Sequence, residues 1–75
     1  MDNPMREYKV KSGLSVARIA RGFKMSMPTV RRIVYRATPN TYLNMSLKTL
    51  LRLQKGMGVD LINWAKMRGE EQGIL

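Results

Sequence analysis

The sequence predicts an all-α fold, a compact bundle of about five short helices. Apolar residues recur in several stretches at the three- and four-residue intervals of one helix face. Serine, asparagine or aspartate precedes most of these stretches and glycine follows several of them, as at helix starts and ends. No stretch alternates apolar and polar residues as a strand does. The 75 residues have room for one domain, predicted over residues 1–75 with a short flexible tail from about residue 69.

The first helix is predicted over about residues 4–12. Asn3 is a favoured cap residue, and the proline after it is tolerated in a first helical turn. Met5 and Tyr8 are its expected buried contacts. Gly13 is placed to end the helix in a left-handed conformation.

The second and third helices come from two apolar repeats separated by a break at residues 24–26. The spacing i, i+3, i+4, i+7 occurs twice, in Val16, Ile19, Ala20, Phe23 and again in Val30, Ile33, Val34, Ala37. Ser15 caps the second helix, which runs to about Phe23. Ser26 caps the third, which has a proline in its first turn and runs to about Arg36. Two helices joined by such a tight break predict a helix-turn-helix.

The remaining chain predicts a loop and two more helices. Thr38-Pro39-Asn40-Thr41 is read as a loop, because a residue before proline avoids the helical region. A fourth helix is predicted over about residues 46–56, with its leucines as core residues: Leu47, Leu50, Leu51 and Leu53. Asp60 caps a fifth helix that runs to about Arg68 and stops at Gly69, leaving residues 70–75 as a frayed tail.

The charge distribution is strongly uneven. The formal net charge is +9, and all five acidic residues lie outside the span 8–59: Asp2, Glu7, Asp60, Glu70 and Glu71. A polycation of this kind predicts an anionic partner. The chain contains no cysteine and no histidine, which excludes disulfides, zinc ligation through thiolates or imidazoles, and catalysis by either residue. We expect neither an enzyme nor a cofactor.

No apolar run approaches the roughly 20 residues of a membrane-spanning helix, and the N-terminus lacks the apolar core of a signal peptide. We therefore expect a cytoplasmic protein, associated with the nucleoid when bound to DNA, with no membrane partner. No small-molecule ligand is expected.

Over about residues 4–64 the chain resembles the lambda-repressor-like DNA-binding domains, the Cro and CI type of the XRE family. The resemblance is carried by apolar residues at the spacing of that family, Ile19, Ala20, Phe23, Val30 and Ile33, and by the stretch S-L-K-T-L-L-R-L-Q-K-G-M-G-V. Two departures stand out. Lys24 occupies a turn position where the family has glycine, and Ser15-Val16 stands where a phosphate-binding glutamine is frequent.

The resemblance implies a transcriptional regulator, most simply a repressor, with the third helix in the major groove of double-stranded DNA. Its base contacts would come from Met27, Pro28, Thr29, Arg31 and Arg32. Arginine matches the acceptors of guanine, so half-sites containing guanine are expected. Phosphate contacts would come from Ser15, Arg18, Ser26, Tyr35, Arg36, Asn40, Thr41, Asn44 and Lys48.

The resemblance also implies a homodimer on a palindromic operator with half-sites about 10 base pairs apart, like the small stand-alone regulators of phages and plasmids. Ile62, Trp64 and Met67 are the expected dimer contacts. Two other functions remain open on the same fold. One is nonspecific nucleic-acid binding through charge alone, and the other is a protein-interaction module of the antitoxin or antirepressor kind.

Overall fold

The computed structural model describes residues 3–75, and over this range the chain is all-helical. Six helices follow one another: α1 (Pro4–Ser12), α2 (Val16–Phe23), α3 (Met27–Arg36), α4 (Pro39–Leu43), α5 (Leu47–Met57) and α6 (Leu61–Glu71). The predicted all-α class is confirmed, with six helices in place of about five. Among the described residues, no helix is both long enough and apolar enough to cross a lipid bilayer.

Local capping fixes most helix starts where the sequence places them. The side-chain oxygens of Ser15, Ser26 and Asp60 each accept the backbone N–H of the residue three positions later, at 3.2, 3.3 and 3.1 Å. Gly13 ends α1 and Gly58 ends α5, both in the left-handed conformation. The predicted caps at Ser15, Ser26, Asp60 and Gly13 are confirmed. Each of them depends only on residues that are close together in the sequence.

The prediction of a loop at residues 38–41 is wrong, because this segment begins helix α4. Thr38 is extended, with φ −114° and ψ 171°, as a residue before proline should be. That conformation is also the one an N-cap needs, and Pro39 fits the first turn, where no N–H bond is required. The Thr41 hydroxyl oxygen accepts the Thr38 N–H at 3.1 Å, which closes a capping box.

Residues 3–37 belong to the first of two compact units. In this unit α3 packs against both α1 and α2. Its buried apolar residues are Pro4, Met5, Ile19, Ala20, Phe23, Val30, Ile33 and Val34, all but the first two of them from the two apolar repeats. The Tyr8 ring meets the Phe23 ring edge-on, with ring centres 6.0 Å apart.

A second tie within the first unit joins the start of α1 to the end of α3. The Asn3 amide Nδ2 donates to the carbonyl oxygens of Ile33 and Val34, at 2.9 and 3.1 Å. Carbonyls in the last turn of a helix have no partner within the helix. Asn3 therefore caps α1 and also binds two carbonyls near the end of α3, of which that of Ile33 accepts the Ala37 N–H as well, at 3.3 Å.

Residues 38–75 form the second unit, in which α6 packs against α4 and α5. Its buried apolar residues are Pro39, Tyr42, Leu50, Leu53, Leu61 and Ala65. Burial of every leucine in α5 was predicted and is wrong for two of the four: Leu47 is 63% and Leu51 47% exposed. Successive residues of a helix lie about 100° apart. Leu47 and Leu51, four residues apart, therefore lie on one side of α5, beside the side that is buried. Val16, also predicted as core, is half-buried.

Helix α6 continues past Gly69, where the sequence predicts its end, so Glu70 and Glu71 are helical. Gly69 is buried, and a Cβ built on it would lie 2.9 Å from Leu43 Cδ1 and 3.1 Å from Leu75 Cγ. The glycine at this position is thus explained by the close approach of Leu43 and Leu75 to α6. The helix is closed later, by Gly73 in the left-handed conformation with φ 72°.

Candidate nucleic-acid interface

The outer side of α3 carries most of the residues predicted to contact bases. Val30, Ile33 and Val34 are buried on the inner side. The outer side is exposed throughout and is called the α3 face: Met27, Pro28, Arg31, Arg32, Tyr35 and Arg36. The division follows from the sequence, since apolar residues at i, i+3 and i+4 turn one stripe inward and leave the intervening positions outward.

The α3 face has a centre and two edges. Pro28 and Tyr35 are two turns apart and share its middle line, while Arg31 lies toward one edge and Arg32 and Arg36 toward the other. These five residues line an open hollow of about 360 Å³. Arg31 and Arg32, adjacent in the sequence, therefore point to opposite edges of the same face.

The arginines of the α3 face form no ion pair with any described residue. The ion pairs present among the described residues are Lys11 with Glu7, at 3.4 Å in α1, and Arg68 with Glu71, at 3.3 Å in α6. The span 8–59 contains no acidic residue at all. The positive charge of the α3 arginines is therefore not balanced by an ion pair within the described part of the chain.

At the start of α3, two predicted DNA contacts are bound to each other. Besides capping the Thr29 N–H, the Ser26 hydroxyl lies 2.6 Å from the Thr29 hydroxyl, and either can donate. Thr29 is half-buried at the border of the α3 face. Of the predicted base contacts, Met27, Pro28, Arg31 and Arg32 share the exposed face, and Thr29 stands beside it.

The two predicted phosphate contacts of α2 are both exposed. Ser15 caps the helix by accepting the N–H of Arg18, and the Arg18 side chain projects away from the buried side that holds Ile19. Arg21 follows one turn later and is exposed as well. Cations therefore line the outer side of α2.

The turn between α2 and α3 keeps its left-handed residue, although that residue is a lysine. Lys24 has φ 56° and ψ 44°, and it is the one non-glycine residue with positive φ in the described part of the chain. The Met25 N–H donates to the Ala20 carbonyl at 2.8 Å and the Lys24 N–H to the Arg21 carbonyl at 3.3 Å. This is the Schellman pattern of a regular helix end, so lysine does not distort the turn.

Four further predicted phosphate contacts lie in the second unit, in α4, just after it and in the first turn of α5. Asn40, Asn44 and Lys48 are exposed, and Thr41 is half-buried. The Thr41 hydroxyl is part of the α4 capping box. Of this group, Asn40, Asn44 and Lys48 present their side chains openly to solvent.

The three predicted dimer contacts differ in their surroundings. Trp64 is half-buried and meets the fully buried Tyr42 edge-on, with ring centres 5.1 Å apart, so its ring packs within the second unit. Ile62 is half-buried, and its N–H donates to the Gln54 side-chain oxygen at 3.3 Å. Met67 is 52% exposed. The apolar surface of α6 is therefore supplied chiefly by Met67, with part of Ile62.

Sequence reasoning missed two residues that support these surfaces. Asn3 was predicted only as a cap, and nothing in its neighbourhood signals its bonds to α3. Tyr42 was not predicted to be buried, because no helix was predicted over residues 39–43. The T-P-N-T capping pattern just before it was the available signal for a helix.

The α3 face is thus a cationic helix surface with a tyrosine at its centre. Comparison of the chain with models of protein families, with curated proteins and with solved structures finds no match in any of the three. Its function is therefore inferred from its own residues and from the resemblance that they carry.

Proposed function

We propose that the chain is a sequence-specific regulator of transcription that binds double-stranded DNA, with α3 in the major groove. The observation that carries the proposal is the α3 face, on which three arginines and a tyrosine project from one helix and none of the arginines is ion-paired with a described residue. The major groove admits an α-helix, and its base edges present the acceptors that arginine binds.

The arrangement of α2 and α3 supports their assignment as a helix-turn-helix. The two helices pack on each other and are joined by residues 24–26, the first of them left-handed. Ala20 is only 3% exposed, and a residue this small allows two helices to approach closely. Ile19, Val30 and Ile33 are buried at the positions that carry the resemblance to lambda-repressor-like domains.

In this proposal Arg31 and Arg32 read bases from opposite edges of the α3 face. Each bidentate contact to guanine contributes about 1–3 kcal/mol of discrimination against the wrong base. Ser15 and Arg18 on α2, with Arg36 at the end of α3, bind phosphates and so fix the register of the helix on the duplex.

The regulator acts as a homodimer on a palindromic operator, and it represses by covering a promoter. The exposed Met67 and the half-exposed Ile62 on α6 support a two-fold contact through this helix. Half-sites about 10 base pairs apart then place two α3 helices on one side of the DNA. Light scattering after size exclusion that finds a monomer both free and on its operator would contradict the dimer.

The experiment that tests the proposal is selection of bound sites from random duplexes, with the wild type and with Arg31→Ala and Arg32→Ala. Each arginine variant is expected to lose preference at one or two base pairs and to weaken binding about 10- to 100-fold. Lys66→Ala, which removes an exposed cation from α6, is the matched control and should keep every preference.

If neither arginine variant relaxes a base preference and neither weakens binding, α3 is not the recognition helix. If both weaken binding uniformly while every preference remains, the two arginines bind phosphates.

A further inference from the structure

Lys24 occupies a backbone conformation that suits glycine better than lysine. Its φ of 56° lies in the left-handed region, where the Cβ of an L-residue crowds the following carbonyl oxygen. The other three described residues with positive φ are all glycines: Gly13, Gly58 and Gly73. Lysine at this position therefore carries a conformational cost that glycine would avoid.

The fold shows no local contact that explains why lysine is retained there. Lys24 is exposed, and neither ion pair of the described residues includes it. The two hydrogen bonds that close the turn come from backbone N–H groups and would form equally with glycine. A cation near the end of α2 does interact favourably with the helix dipole, but at an exposed site this effect is small and is screened by salt.

Lys24 continues a row of exposed cations that begins on α2. Arg18, Arg21 and Lys24 follow one another at three-residue intervals along the outer side of α2 and into the turn, and all three are exposed. Three residues after Lys24 the α3 face begins. A residue that breaks a local rule without gain to the fold is a candidate for function.

We infer that Lys24 is a phosphate-contacting residue of the DNA-binding surface, retained at the turn for its ammonium group. The inference rests on the proposed function and adds a contact to it, because Lys24 joins the residues that bind the DNA phosphates. A phosphate contact carries no base information, so the effect of Lys24 on affinity should be equal for all sequences.

Three variants at position 24 test whether the charge of the Lys24 side chain contributes to binding. Lys24→Gly removes the charge and the strain, Lys24→Asn removes the charge and tolerates the left-handed conformation, and Lys24→Arg keeps both. Lys66→Asn is the matched control, because it removes one exposed lysine from α6 and lowers the net charge equally. Fluorescence anisotropy would follow binding of the selected operator and of a random duplex at salt concentrations from about 50 to about 200 mM.

Lys24→Gly and Lys24→Asn are expected to weaken binding to both duplexes about fivefold and to reduce the slope of log affinity against log salt by about 0.9. Lys24→Arg should bind like the wild type. Thermal unfolding should show a melting temperature about 4 °C higher for Lys24→Gly, so that weaker binding accompanies a more stable fold.

Two results would overturn the inference, and they are distinguishable. If the wild type binds DNA but Lys24→Gly and Lys24→Asn bind as well as it does, or lose no more affinity than Lys66→Asn, Lys24 contacts no phosphate and the proposed function stands. If the wild type binds neither duplex at any salt concentration tested, the inference and the proposed function fail together.

Discussion

The same pattern of hydrogen bonds ends one helix in each compact unit, with different residues at equivalent positions. In α2 the Met25 N–H donates to the Ala20 carbonyl at 2.8 Å, and in α6 the Ile74 N–H donates to the Gly69 carbonyl, also at 2.8 Å. The left-handed residue is Lys24 in the first case and Gly73 in the second.

The two helix ends differ in the interactions that stabilise them. The residue before Lys24 is the buried Phe23, and the residue before Gly73 is the exposed Gln72. The end of α2 is therefore held by core packing and carries a charge that its backbone does not favour. The end of α6 is held by the backbone conformation of glycine and by the close packing around Gly69.

The largest expected difference between the two ends is at the residue before the left-handed position. Phe23→Ala should cost about 3 kcal/mol of unfolding free energy, because Phe23 is 6% exposed and its ring packs on Tyr8. Gln72→Ala should change stability by less than about 0.5 kcal/mol, as surface substitutions usually do. Urea unfolding of both variants measures the contrast, with Phe23→Leu as a milder variant. Equal losses at the two positions would show that the end of α2 is not anchored by packing.

A smaller loss of stability is expected when a glycine near each helix end, Gly69 in α6 or Gly22 in α2, is replaced by valine. Gly69→Val should destabilise the protein by about 2 kcal/mol, because its new Cβ would meet Leu43 and Leu75 at 2.9 and 3.1 Å. Gly22→Val in α2 is the matched control, since a Cβ at Gly22 meets nothing within 4 Å. It should be neutral or slightly stabilising. A loss at Gly22 as large as the loss at Gly69 would argue against close packing as the reason for glycine in α6.

The smallest loss of stability is expected when lysine replaces the left-handed glycine of α6, so that both helix ends carry lysine at this position. Gly73→Lys should cost about 1 kcal/mol, because it creates in α6 the conformation that Lys24 already holds in α2. Thermal unfolding should show a melting temperature about 4–8 °C lower. An unchanged melting temperature would mean that lysine adopts this conformation without cost, and the contrast between the two ends would disappear.

The sequence predicts the parts of this molecule that depend on neighbouring residues. Ser15, Ser26 and Asp60 cap helices as expected, and the apolar repeat of α3 separates a buried side from the α3 face. Lys24 was singled out because the family that the chain resembles has glycine at this turn position, and Lys24 has the left-handed conformation that glycine adopts easily.

Features that depend on distant contacts could not be predicted in this way. The bond from Asn3 to Ile33 spans 30 residues of sequence, and no local pattern marks it. Leucines at neighbouring positions of α5 look alike in sequence, and only packing against α6 decides that Leu50 is buried and Leu47 exposed. For the candidate interface, the sequence supplies the residue types, and the helix geometry places Arg31 and Arg32 on opposite edges.

The most direct test of DNA recognition by the α3 face is the ratio of two affinities measured at one salt concentration. A duplex obtained by site selection is compared with a random duplex of equal length at about 150 mM salt. A sequence-specific regulator should bind the selected duplex at least about 1,000-fold more tightly. A ratio near one would contradict the account and would identify the positive charge alone as the cause of binding.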